Sequence, residues 1–217
     1  MYELLILLLV AAMALRSVYR PDSGHDDVPH KIGSRMARLW DVAQEGMRES
    51  KFLRAEKALL TILKIDEKNA AAYNRLGILY AKQKEFDDAI DCFEIATTIE
   101  RTASGLHNLG LIYFETEQYE KARIAFEQAI ELEDSLATRH IALAKVLERL
   151  GKPTEMTIEL EKAVELEPNP ESLSLLAKAY QTLGRDEDQK NIESKLKSHV
   201  LPPGQHKRIK RPSKAVV

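Results

Sequence analysis

The sequence has few of the residues that staple or punctuate a chain. Its 217 residues include one cysteine, Cys92, so neither an internal disulfide nor a cysteine-based zinc site can be built. Nine glycines and eight prolines are too few for collagen or a low-complexity chain. Charge of one sign is lacking too. With 32 basic and 34 acidic side chains the net charge is −2, and the chain as a whole predicts neither a polyanion nor a polycation partner. No glycine-rich phosphate loop, serine-centred elbow or zinc motif occurs. The histidines, His25, His30, His107, His140, His199 and His206, are scattered. These absences argue against an enzyme and imply no cofactor. Leu, Ala, Glu and Lys are abundant, which favours helix. An apolar content of 44% argues against global disorder.

One apolar run is long. From Leu4 to Leu15 it is unbroken. Twelve residues span roughly 18 Å as a helix, short of the roughly 30 Å hydrocarbon core, but Met1 to Tyr19 is about long enough to cross. Tyr2 and Tyr19 then lie at the two ends, as interfacial aromatics do. A cleaved signal peptide is one alternative, with Ala12 and Ala14 at the cleavage site, but the start carries no Lys or Arg. A buried soluble helix is another, although the run is apolar on every side. The expectation carried forward is a transmembrane anchor over residues 1–19. Arg16, Arg20 and Lys31 follow it and no basic residue precedes it. The predicted localisation is therefore single-pass, with the bulk of the chain on the cytoplasmic side. Residues 20–33 contain two prolines and two glycines without apolar periodicity, and read as a linker. His25, Asp26, Asp27 and His30 within it have nothing to hold them in a metal-binding geometry.

Beyond the linker the chain repeats. Tyr73, Leu76, Gly77, Tyr80, Ala89, Phe93 and Ala96 recur 33 residues later as Leu106, Leu109, Gly110, Tyr113, Ala122, Phe126 and Ala129. His140, Leu143, Ala144, Leu147, Met156, Leu160 and Ala163 follow 34 residues on, then Leu173, Leu176, Ala177 and Tyr180 after 33 more. Leu39, Val42, Ala43, Gly46, Ala55, Leu59 and Ile62 hold the same register 34 residues before Tyr73. Apolar residues three and four apart make each half-unit an amphipathic helix. Small residues let two helices approach closely, and aromatics fill the space between neighbours. Phe86 and Tyr119 are placed to staple helix starts. In Glu167-Pro168-Asn169-Pro170 the first proline ends a helix, Asn169 caps the next and Pro170 suits its first turn. His140 occupies a packing position, and Cys92, beside Phe93 on a second helix, reads as an inert small apolar residue.

This pattern resembles the tetratricopeptide repeat (TPR) family over about residues 34–200. The units at 70–102 and 103–136 match nearly every signature residue. The unit at 137–169 has Ala144, Leu147 and Leu160 in place of Gly and aromatics. The first, about 36–69, has Gly46 where Tyr is usual, which predicts looser packing there. The last, 170–200, ends in a mostly polar helix with Ile192 and Leu196 as its apolar stripe, as suits a terminal cap. The resemblance implies an all-α fold, an α-solenoid of about five helix-turn-helix repeats, here preceded by the single N-terminal transmembrane helix.

It also implies a concave groove, lined by the first helix of each pair, that binds a peptide segment or helix of a protein partner. Residues one position beyond the packing stripe lie about 100° around each first helix. They are Trp40, Gln44 and Met47, then Asn74 and Ile78, then His107, Leu111 and Phe114. Lys145 and Lys178 continue the stripe, with Arg149 at its border. The first three units are largely apolar here and the last two basic. The expectation is a groove that takes an apolar segment at one end and carboxylates at the other. The alternative is that Ile78, Leu111 and Phe114 pack between repeats and the lysines are solvated. Some family members hold C-terminal carboxylates with a Lys and Asn set; Asn74 and Asn108 are present but the set is incomplete.

Residues 201–217 read as a disordered basic tail. Lys207, Arg208, Lys210, Arg211 and Lys214 face no acidic residue in it, and without them the chain has 27 basic against 34 acidic side chains. Beside an anchor, the tail can contact anionic lipid. RNA is the weaker alternative, since no aromatic is interleaved for stacking. The function expected is a membrane-anchored TPR scaffold that binds proteins. Its alternatives are an exported soluble binding protein after signal cleavage and an RNA-associated factor using the tail.

Overall fold

A computed structural model describes residues 27–200 of the chain. These residues form ten helices and no strand. They fall into two compact units divided after Ile65. The first holds α1 (Asp27–Arg48) and α2 (Phe52–Ile65). The second holds four further pairs: α3 (Ala70–Gln83) with α4 (Phe86–Ile99), α5 (Ala103–Glu115) with α6 (Tyr119–Leu132), α7 (Ala137–Arg149) with α8 (Pro153–Leu166), and α9 (Pro170–Thr182) with α10 (Asp186–Val200).

Local chemistry sets where these helices start and stop. The side chain of Asn69 accepts a hydrogen bond from the Ala72 amide at 2.9 Å, and Thr102 Oγ1 accepts one from Gly105 at 3.1 Å. Asn169 accepts from the Ser172 amide, and Ser172 Oγ accepts in return from the Asn169 amide. This reciprocal box satisfies amides that a helix start leaves without partners. Between the helices of each pair stands one left-handed residue: Ser50, Lys84, Glu117, Gly151 or Gly184, with φ between 58° and 69°. The amide that follows each turn donates back to the first helix, as in Glu85 to the Tyr80 carbonyl at 2.9 Å and Gln118 to Tyr113 at 2.8 Å.

The second unit stacks pair on pair. Each helix packs on its sequence neighbours, and first helices also touch one another, α3 on α5 and α5 on α7. Phe93 and Phe126 are fully buried at the heart of this stack, with Leu109, Ile112, Leu143, Leu160 and Leu176 around them. A Cβ at Gly77 would stand 2.8 Å from the Phe93 ring, and one at Gly110 2.8 Å from Phe126. Glycine therefore makes room for each phenylalanine. Successive pairs are also tied by polar contacts. The hydroxyl of Tyr113 on α5 donates to Glu94 on α4, and Tyr180 on α9 donates to Glu161 on α8 at 2.8 Å. Burial and the neighbouring carboxylate both push the Tyr113 phenol up, burial more strongly. At the end of the stack α10 buries Ile192 and half-buries Leu196.

Three expectations are corrected. Among the described residues no helix is long and apolar enough to cross a membrane. The longest, α1, has 22 residues but carries Arg35, Arg38, Asp41, Glu45 and Arg48. The single-pass localisation with a cytoplasmic repeat domain is therefore not upheld; the run at 1–19 on which it rested lies outside the described residues. Helix α1 starts at Asp27 and so takes in residues 27–33 of the stretch read as a linker. Packing at Gly46 is close rather than loose. A Cβ there would lie 3.0 Å from both the Cβ and the amide nitrogen of Ala55.

Candidate protein-binding groove

The first helices of the second unit bring the predicted stripe together. His107, Leu111 and Phe114 of α5 and Thr138, Ile141, Ala142 and Lys145 of α7 line a depression of about 270 Å³, which Glu171 of α9 closes. A second depression of about 270 Å³ lies between α3 and α5, lined by Ile78, Ala81, Lys82, Asn108 and Leu111. Leu111 borders both and is 40% exposed. Ile78 and Phe114 are half-buried. Phe114 packs edge-on against Tyr119 at 5.7 Å between ring centres, and the Arg149 guanidinium lies about 6 Å from both rings. Arg149 is thus held over aromatic faces, where the ring quadrupole attracts a cation.

Asn74, Lys145 and Lys178 of the stripe have polar partners within the chain. Asn108 Nδ2 donates to Asn74 Oδ1 at 3.2 Å, linking α5 to α3. Lys145 Nζ lies 2.6 Å from Glu171, and Lys178 Nζ lies 2.6 Å from Glu148. The end expected to take carboxylates already holds two of its own. Pairs as exposed as these are worth little, so an incoming carboxylate has only a weak bond to displace.

His107 stands with its ring 5.3 Å from that of Phe126. Its Nδ1 is buried without a hydrogen-bond partner. Burial, and secondarily the charge of Arg139, holds its pKa below the usual imidazole value. Arg139 is the residue that the sequence did not flag. It is only 3% exposed and donates to both the carbonyl and the carboxylate of Glu133, each at 2.8 Å. A charged residue one place before a packing position was the available signal. Glu171 was missed as well; it lies in the first turn of α9, lines the depression and pairs with Lys145.

In the first unit Trp40 and Met47 are half-buried on α1, and Gln44 is exposed beside Asp41, Glu45 and Arg48. Lys207, Arg208, Lys210, Arg211 and Lys214 lie outside the described residues. Among the described residues no group of three His, Cys, Asp or Glu could hold a metal ion. Cys92 is half-buried, and burial, with Asp88 and Asp91 nearby, pushes its thiol up to about 11.

Helix pairs in tandem, with first helices touching one another along the second unit, define a helical-repeat protein. Models of the tetratricopeptide repeat match residues 68–134 and 137–170, so the chain carries repeats of that kind there. The crystal structure of MamA protein is similar, with a TM-score of 0.68 and 21% identity over 76% of this chain and 91% of that one. A MamA RS-1 double mutant gives 0.67 at 15% identity, over 76% and 93% of the two chains. YrrB, described as a TPR protein with an unusual peptide-binding site, gives 0.62 at 20% identity over 71% and 80%. At these identities the likeness is one of fold. No curated protein matches the chain.

Proposed function

We propose that this chain is a protein-binding scaffold that holds a peptide segment or helix of a partner along the first-helix face of its second unit. The observation that carries this is Leu111, an exposed leucine between two apolar depressions on the first-helix face of the stack. A partner's apolar side chains would fill the two depressions. Its carboxylates would exchange with Glu171 at Lys145 or with Glu148 at Lys178. The peptide-binding site named for YrrB, which has the same fold, supports the reading by analogy.

The test is selection of phage-displayed peptides on the full chain, followed by binding measurements with two variants. Leu111→Arg places charge between the depressions. Ile124→Arg changes an exposed apolar residue on α6, a second helix. The expected outcome is at least about a tenfold loss of affinity for Leu111→Arg, the effect of about 1.4 kcal/mol at a central anchor, and little change for Ile124→Arg. Equal affinity of Leu111→Arg and the parent chain would sink the proposal.

A further inference from the structure

The first unit carries an apolar depression of about 660 Å³ between α1 and α2. Leu39, Val42, Leu53 and Ala58 line it. Leu53 is 64% exposed, and Leu39 and Val42 are only half-buried. Tyr73, on the first helix of the second unit, is half-buried like Leu39 and Val42, but in the later pairs the residues in this register are buried: Leu106 and Leu109, His140 and Leu143, Leu173 and Leu176. Each of those follows a preceding helix in the stack; Leu39 and Val42 belong to the first pair. A repeat array needs its terminal faces covered by polar or capping structure. The C-terminal end has such a cover in α10, whose exposed face is rich in Asp, Glu and Lys. The depression on α1 and α2 has none among the described residues.

The same chain holds the longest apolar run of the protein, Leu4 to Leu15, just upstream. We propose that this run docks in the depression lined by Leu39, Val42, Leu53 and Ala58, as the N-terminal cap of the repeat array. Reach permits it. Residues 16–26 span at most about 36–40 Å when extended, while Leu39 lies roughly 18 Å along α1 from its start. Size permits it as well, since a dozen residues cover about 18 Å as a helix, close to the length of the 14-residue α2. Charge is compatible. Lys51, Arg54 and Lys57 border the depression, and Glu3 lies next to the run. The run then supplies to the first pair what α5, α7 and α9 each receive from the pair before them.

Disulfide trapping in the full chain tests this. In a Cys92→Ser background, Leu53→Cys is combined in turn with Leu8→Cys, Leu9→Cys and Val10→Cys. A control series replaces Leu53→Cys by Gln44→Cys, on the side of α1 away from Leu39 and Val42. Far-UV circular dichroism confirms that each variant is helical before dilute oxidation with copper phenanthroline. Docking predicts an intramolecular disulfide with position 53 for at least one of the three positions, and none with position 44. Three positions along the run keep the outcome independent of any single poorly aligned pair. Trapping equal at 53 and 44, disulfides only between two chains, or no disulfide while the chain floats with phosphatidylcholine vesicles would each overturn the proposal. The middle outcome would assign the depression to a second copy, and the last would assign the run to lipid. The groove on the second unit is not involved, so failure here leaves the peptide-binding reading untouched.

Discussion

Side-chain size is compensated across the first three helix pairs of the second unit. Gly77 and Gly110 face Phe93 and Phe126 so closely that a Cβ would fall 2.8 Å from the rings. In the next pair Ala144 stands in place of glycine and Leu160 in place of phenylalanine, and both are buried. One added carbon is matched by a smaller partner. Gly110→Ala should therefore destabilise the protein by about 1–2 kcal/mol, since overpacking a well-filled core outweighs the helix propensity gained. In a Phe126→Leu background the same change should become neutral or stabilising. Urea denaturation of the four proteins measures the cycle, and an equal cost in both backgrounds would refute the coupling. His107 gives a pH dependence at the same scale. Its folded-state pKa is lowered, chiefly by burial. The unfolded chain then binds a proton more readily, so the stability due to neutral His107 is lost as pH falls below about 6.5 toward the folded-state value. Melting temperature should drop between pH 7 and pH 5, and His107→Gln should lessen that drop. Parallel curves for the two proteins would show that His107 contributes nothing to it.

At the scale of the element, the turns between paired helices share one requirement that the sequence meets unevenly. Ser50, Lys84, Glu117, Gly151 and Gly184 all adopt left-handed φ at intervals of 33 or 34 residues. Only two are glycine, the residue that takes this conformation without a steric cost. For the others the left-handed form costs roughly 1–2 kcal/mol, part of which glycine gives back in unfolded-state entropy. Glu117→Gly should thus stabilise by up to about 1 kcal/mol and raise the melting temperature by a few degrees. A melting temperature unchanged or lowered would show that the Glu117 side chain earns its place by another contact. Helix limits were largely legible beforehand, since Asn169 and Pro170 mark the start of α9 as the sequence implied. The start of α1 was not. Proline and glycine near it suggested a linker, yet Pro29 falls within the first turn of the helix, where a proline costs little.

Across the second unit the core runs continuously from pair to pair, each helix packing on its neighbours in sequence. Such arrays unfold from their ends when a terminal unit is weakened. Ile192 is the buried anchor of α10 on the stack. Ile192→Asp buries a charge with no designed partner and should cost about 2–4 kcal/mol. Hydrogen exchange should then quicken in α9 and α10 while the amides of α3 to α6 stay protected. Uniform loss of protection would show that the second unit unfolds as a single cooperative block.

Much of this architecture is local in origin, and the sequence alone determined it. An apolar period of three and four residues makes each helix, a repeat of 33 or 34 residues sets the pairs in phase, and caps and turns lie within a few residues of the groups they satisfy. The positions of Ile78, Leu111 and Phe114 on one face followed from the same periodicity. The charges of that face did not. Lys145 meets Glu171 and Lys178 meets Glu148 across separate repeats, 26 and 30 residues apart. Arg149 turns to the rings of Phe114 and Tyr119, and Arg139 is buried on Glu133. Long charged side chains reach whatever partner the stacking of helices brings near. The distance between helix axes, which no local pattern encodes, therefore decided which cations the groove presents and which it neutralises.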